Sequence, residues 1–504
     1  MNRSLLFILV CLLVSATLTC KRRPPALEAI DTIDRRSNLP LGAPINRDLA
    51  QIRESGTLTV LAPYNSTTYF IYQGEPLGYE YEILRAFAKD LGVQLKMVVV
   101  TDPKSLFPLL NSGEGDLAAA RLIPPTPAEG EAPVSFTRAL YRTEPALVQQ
   151  EEPPSKAGEG AEKALQPGPA DPLPEVDINA RLVTQPWQLA GRTVTLPEQS
   201  AYRRTLLELS DEISGDVHIV ELGEQIQDET LAQKVARGEV QFTVMQKNLA
   251  ELKEVEFKNL KVRPILGPSH GVAWAVRKNS PQLMDELNRW IEDKKEAGLF
   301  GAMYQKYFID RRHYLERVTS EYLTSKTGKL SEFDALIKQH AVDLNWDWRL
   351  LASQTFQESR FRPAARSWAG AAGLLQLMPK TAKEFGVTNP LDPEDNVQGA
   401  CKFLKWLERY WEKRIPDDGE RIKFVLASYN TGAGHVEDAQ RLAEKYGGNP
   451  QKWEDVAYWL LQKSTQKYSS DEVVKFGFCR GLEPVNYVNN ILERFDHYKQ
   501  FVVT

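Results

Sequence analysis

Cysteine is scarce in this chain of 504 residues, which carries four, and their wide spacing leaves no cluster suited to a metal ion. Neither sign of charge is in large excess: 62 basic against 67 acidic residues give a net charge of −5, with both signs interspersed. That balance removes any broad electrostatic reason to bind nucleic acid or an anionic membrane surface. Beyond residue 20 no apolar run reaches the ~20 residues a membrane-spanning helix needs, and no metal-binding or phosphate-cradling motif is present. What the chain does have is length. At 504 residues it exceeds one hydrophobic core, so two or three domains are expected. Its apolar fraction of 42% and charged fraction of 26% are those of a soluble globular protein.

The exception is the start. Met1-Asn2-Arg3 precedes a mainly apolar run from Leu5 to Leu18, then Thr19 and Cys20, which has the build of a secretory signal over residues 1–19. Cys20 followed by Lys21-Arg22-Arg23 resembles a bacterial lipoprotein processing site, with Thr17 where Leu is usual and Thr19 where Gly or Ala is usual. The resemblance implies lipid attachment at Cys20, against plain secretion or an uncleaved anchor. Lys21 is not the Asp associated with inner-membrane retention, so the expected place is the periplasmic side of a Gram-negative outer membrane, held peripherally through the lipid. Cleavage there discards Cys11 and leaves Cys401 and Cys479 as the only further pair, either a disulfide or two buried thiols.

Residues 20–50 are polar and broken by Pro24-Pro25, Pro40 and Pro44, and read as a tether. A Pro/Gly-rich stretch over about 151–175 is too broken for a helix or strand. Around it, Thr57–Leu61, Val93–Val100, Arg192–Leu196 and Gln241–Met245 read as strands, and Tyr79–Leu91 and Pro281–Ala297 as helices. The alternation predicts an α/β domain over 51–310 with a mainly parallel sheet. After a linker at 311–330, strands vanish, and 331–504 reads as an all-helical domain.

Gly56-Thr57-Leu58-Thr59-Val60, Gly74-Glu75-Pro76-Leu77-Gly78-Tyr79-Glu80, the run from Leu109 to Leu117 and Trp187-Gln188-Leu189-Ala190-Gly191-Arg192 follow one another in the order seen in family 3 extracellular solute-binding proteins. That resemblance implies two α/β lobes, as in periplasmic binding proteins, closing on a small ligand. The chain departs from the amino-acid binders of that family at both ligand positions: Gly130 stands where the carboxylate-binding Arg belongs and Gln246 where the amino-group Asp belongs. A free amino acid would lose both partners. Arg121 is either a substitute for the lost Arg or a solvated charge at a strand end.

In the back half, Ser331-Glu332-Phe333-Asp334 can cap a helix with apolar positions at Phe333, Leu336, Ile337, Ala341 and Leu344. A second helix places Trp348, Leu351, Ala352, Thr355 and Phe356 on one face, and Glu358, seven residues after Leu351, ends that stripe. A carboxyl held among apolar groups has a raised pKa, as a general acid requires. Periodicity alone leaves the ordinary alternative of a solvated glutamate.

Four blocks change the balance: Gln357-Glu358-Ser359-Arg360-Phe361; Gly370-Ala371-Ala372-Gly373-Leu374-Leu375-Gln376-Leu377-Met378-Pro379; Asn396-Val397-Gln398-Gly399-Ala400; and Ala427-Ser428-Tyr429-Asn430-Thr431-Gly432-Ala433-Gly434-His435. In this order they resemble the soluble lytic transglycosylase family, whose fold is all-α and lysozyme-like, of the goose type. The resemblance implies that Glu358 is both acid and base in cleaving peptidoglycan glycan strands to 1,6-anhydromuramic acid ends. It also implies no metal or organic cofactor. Ser359 and Gln376 would orient the sugar, and Tyr429 and Asn430 would line the cleft. Tyr487, in Glu483-Pro484-Val485-Asn486-Tyr487, is a further candidate, and His435 reads as structural or solvated. With the front half in place of a ligand sensor, a muropeptide or cell-wall peptide is the expected small ligand. The rivals are a catalytically inactive peptidoglycan-binding protein, a solute receptor and a hydrolytic lysozyme.

Overall fold

The computed structural model describes residues 41–126, 130–151, 182–198, 200–213, 215–223 and 226–503. Residues 1–40, with Cys20, and 152–181, with nearly all of the Pro-rich stretch, lie outside the described residues.

Among the described residues thirteen strands in chain order build the front half: β1 (Thr57–Ala62), β2 (Phe70–Tyr72), β3 (Glu75–Leu77), β4 (Gln94–Val99), β5 (Leu117–Leu122), β6 (Val134–Phe136), β7 (Tyr141–Thr143), β8 (Pro145–Gln150), β9 (Thr193–Pro197), β10 (His218–Leu222), β11 (Phe242–Gln246), β12 (Leu260–Ile265) and β13 (His270–Arg277). The first lobe's sheet runs β4-β1-β5-β13-β6, with β7 also on β13. In the second lobe β11-β8-β12 and β9-β10 form two smaller sheets.

The expected mainly parallel sheet is only partly found. β1 runs parallel to β4 and β5, and β9 to β10. β13 is antiparallel to β5, β6 and β7, and β8 to β11 and β12. The reason is topological: the chain leaves the first lobe at β7 and comes back at β13, so the returning strand runs against those already there. Helix Tyr79–Leu91 ends where Gly92 takes a φ of 77°, the left-handed position that glycine occupies without strain.

Two spans differ from expectation. The end of the tether is docked: the Ile45 amide donates to the Asn111 carbonyl at 2.9 Å, and Arg47 pairs with buried Asp116 at 2.7 Å. The 311–330 linker contains helix Arg311–Thr319, and its Tyr314 and Val318, with Leu323, join the core of the front half. Tyr314 and Val318 are one turn apart, so a single helical face buries both.

Among the described residues after 331 every regular element is helical. Helices Asp334–Leu344, Trp348–Ser359, Pro393–Glu412, Asp418–Thr431 and Leu482–Phe501 surround a core that includes Leu351, Leu404, Trp411, Phe424 and Ile491. The last helix spans both halves. Its Tyr487, Val488 and Ile491 belong to the helical core, while Phe501 stacks on Tyr64 at 3.6 Å and His497 sits between Tyr69 and Tyr81.

Candidate active site

Glu358 occupies the last turn of helix Trp348–Ser359, which Asp347 caps at its start by accepting from the Arg349 amide. Arg360 and Phe361 follow with φ of 53° and 57°, turning the chain sharply so that it doubles back beside the helix end. Glu358 is half-buried. Burial pushes its carboxyl up to about 7, and among the described residues only the Tyr487 hydroxyl, donating to Oε1 at 2.5 Å, pulls the other way. Tyr487 in turn accepts from the Gln354 amide nitrogen at 3.1 Å.

The loop opposite is held by Asn396, which is fully buried. Its Nδ2 donates to the Ala372 and Pro390 carbonyls at 3.0 and 2.9 Å, and its Oδ1 accepts from the Leu375 amide at 2.8 Å. Gly373 beside it has a φ of 87°, and a Cβ there would lie 2.0 Å from the Pro390 oxygen. The Leu375 carbonyl accepts from the Tyr429 hydroxyl at 2.7 Å. Burial, and then the nearby Glu358 charge, hold that hydroxyl well above its usual range.

The structure thus brings Glu358, Tyr429 and Tyr487 together. Asn430 is half-buried on the next position of the Tyr429 helix. Ser359 and Gln376 are otherwise engaged. The Ser359 hydroxyl is buried and donates to the Thr355 carbonyl one turn back, at 3.2 Å. Gln376, at a φ of 47°, spends its amide nitrogen on the Ala365 and Gly373 carbonyls at 3.0 and 2.8 Å. Two residues escaped sequence reasoning. Gln354 is a polar side chain exactly one turn before Glu358 on a buried face, a signal that was legible; Asn396 opens the third motif block but carries no sign of which loop it holds.

His435 accepts from Lys463 at 2.8 Å, and Lys463 pairs with Asp438 at 2.6 Å, both fully buried. Desolvation, followed by the Lys463 charge, lowers the histidine's pKa, which makes it part of a structural network. Cys401 and Cys479 are free, buried thiols, with burial pushing Cys401 up to about 12.

In the front half the lobes meet where Ser66 donates to Glu229 at 2.7 Å. Arg121 lies there at a φ of 54°, its side chain 11% exposed and 3.8 Å from Asp228. It is therefore not the solvated charge of a strand end. Its Nε and Nη1 have no hydrogen-bond partner among the described residues, nor has Oε2 of fully buried Glu80. Gln246, in the place of the family's Asp, accepts from Tyr141 at 3.1 Å and donates to the Arg121 carbonyl at 3.0 Å.

Residues 335–452 match the transglycosylase SLT domain, and residues 60–310 match the bacterial extracellular solute-binding proteins, family 3. Fold and site define the class: a two-lobed, solute-binding-like α/β unit followed by a helical, lysozyme-like transglycosylase domain. Over 457 residues the chain is 32% identical to a membrane-bound lytic murein transglycosylase F of Desulfosudis oleivorans, covering 90% of this chain and 92% of that one. It is 29% identical to the protein of that name from Pseudomonas fluorescens over 456 residues, 89% of this chain and 86% of the other. The chain belongs to the membrane-bound lytic murein transglycosylase F family. Among solved structures, an ancestral amino acid-binding protein, a precursor of cyclohexadienyl dehydratase, is similar at 18% identity and a TM-score of 0.39, over 52% of this chain and 99% of that one.

Proposed function

We propose that this protein cleaves the β-1,4 bond between N-acetylmuramic acid and N-acetylglucosamine in peptidoglycan without water, leaving 1,6-anhydromuramic acid ends. The observation that carries the reading is the setting of Glu358: burial raises its pKa, one tyrosine hydroxyl opposes it, and among the described residues no charged group contributes to the shift. A hydrolase with two carboxylates across the bond keeps the second within about 5–9.5 Å, where its charge would be felt.

In the first step Glu358, protonated near neutral pH, gives its proton to the glycosidic oxygen as the bond to C1 breaks. The carboxylate left behind takes the proton from the sugar's own 6-hydroxyl while that oxygen bonds to C1. The ring closes and Glu358 returns protonated, so one acid serves twice and no cofactor is consumed. Tyr429 and Asn430 line the cleft, and Gln376 offers its carbonyl oxygen toward a sugar amide.

The front unit serves as a sensor of a cell-wall peptide or muropeptide. Support comes from the Arg121 Nε and Nη1, which have no partner among the described residues where the lobes meet, a cation suited to an anionic group of a ligand. Lipid attachment at Cys20 holds the protein to the periplasmic face of the outer membrane; among the described residues no helix is long and apolar enough to cross a membrane.

Mass spectrometry of purified peptidoglycan digested with the protein, beside Glu358→Gln, tests the chemistry. Anhydro ends from the first and none from the second are expected. Reducing muramic acid ends would make it a hydrolase, and no products from either would leave a binding protein.

A further inference from the structure

Gln354 is a polar side chain buried one turn before Glu358 on the same helix. Gln354 has no exposed surface, and its Oε1 has no partner among the described residues, a cost that an apolar side chain of the same size would avoid. Among the described residues its one side-chain hydrogen bond is the Nε2 donation to Tyr487 Oη at 3.1 Å.

We infer that Gln354 is a positioning residue that sets the direction of the hydrogen bond between Tyr487 and Glu358, and so decides which carboxyl oxygen carries the transferred proton. An amide nitrogen has only protons to give. Facing it, the Tyr487 oxygen must accept, and the single phenolic proton is left to point at Glu358 Oε1, 2.5 Å away. Oε1 is then an acceptor in both protonation states of Glu358. The acid proton rides on Oε2, which stays free to reach the glycosidic oxygen and later the 6-hydroxyl.

The opposite polarity is chemically distinct. If Gln354 presented its oxygen, Tyr487 would donate to the glutamine, and protonated Glu358 would donate through Oε1 into the tyrosine. The catalytic proton would be held away from substrate. The two polarities shift Glu358 in opposite directions when Gln354 is removed, because a donor aimed at a carboxylate lowers its pKa.

The inference rests on Glu358 being the acid and base, so the test needs one readout that does not depend on turnover. In the full-length protein, the carboxyl titration of Glu358 is followed by NMR with carbon-13-labelled glutamate, its resonance assigned as the one missing from Glu358→Gln. The alkaline limb of kcat, where a general acid loses its proton, is measured beside it. With Gln354→Met both midpoints are expected to move up, by about 0.5–1 pH unit, with kcat falling more than KM changes. Tyr487→Phe is expected to move them at least as far, and Gln354→Met added to Tyr487→Phe to move them no further. A downward shift with Gln354→Met would establish the opposite polarity and overturn the inference. An unchanged midpoint in a folded Gln354→Met variant would reduce Gln354 to core filling. If Gln354→Leu, carried as a second substitution in case Met does not fold, also leaves the midpoint in place, the same conclusion holds. A correct titration shift without anhydro ends would keep the hydrogen-bond assignment and sink the proposed reaction instead.

Discussion

The hydroxyl of Tyr498 donates to the carbonyl of Gly74 at 2.6 Å, fastening the last helix of the catalytic domain to the turn between β2 and β3 of the binding unit. The same turn touches the Glu358 helix. A Cβ on Gly74, whose φ is 78°, would lie 2.5 Å from Phe361 Cε2, 2.7 Å from Tyr498 Oη and 3.0 Å from Phe356 Cδ2. Gly74→Ala therefore strains the backbone and pushes the halves apart. The expected loss is about 1–3 kcal/mol of stability, seen as a lower Tm, together with reduced turnover because Phe356 and Phe361 flank Glu358. An unchanged Tm and turnover would mean that the junction is looser than this packing.

Stability should fall with rising pH on account of Glu358. Its carboxyl titrates near 7 when folded, above the ordinary value of 4.5, so the folded state holds the proton more tightly. Folding stability from this group is greatest below about 4.5 and declines up to about 7. Glu358→Gln, neutral throughout, is expected to match the parent at pH 4 and to exceed it by about 1–3 kcal/mol at pH 8. Urea unfolding at both pH values checks the sign.

Lys463 is a buried cation whose partner Asp438 also accepts from the Lys475 and Phe476 amides at 2.8 and 2.9 Å. Lys463→Met leaves the aspartate charge buried with Arg441 as its remaining cationic partner. A loss of about 3 kcal/mol is expected, and Lys463→Met with Asp438→Asn should recover part of it. A single substitution costing under about 1 kcal/mol would show that water reaches the pair.

Asn396→Ala removes three hydrogen bonds at once and orphans the Leu375 amide and the Pro390 carbonyl, while the Ala372 carbonyl keeps the Leu377 amide. Roughly 2–4 kcal/mol should be lost. Because Leu375 also accepts from Tyr429, kcat should fall beyond what partial unfolding explains, as measured at a temperature where the variant is still folded.

Legibility in the sequence followed the range of the interaction. The helix Tyr79–Leu91 was readable to the residue, since its apolar spacing and Gly92 are local signals. Four strands, β1, β4, β9 and β11, were read from the sequence; β13 was not, nor was the direction in which it joins its sheet, because that depends on the chain having crossed to the second lobe and returned. Residues 311–330 looked like a linker between two patterned regions and proved to hold a packed helix. In the site, the motif blocks pointed to Glu358 and Tyr429 together, whereas Ser359 carries a polar side chain that its own helix takes up.

From the sequence alone came the order of the two units and the placing of Glu358 at the end of an apolar stripe, since helical periodicity states which face of an element avoids water. Only the tertiary structure decided what meets that carboxyl. Tyr487 arrives from 129 positions further along the chain, and Gln354 orients it. Periodicity says that a surface will be covered, and the packing of one helix against another says by which donor.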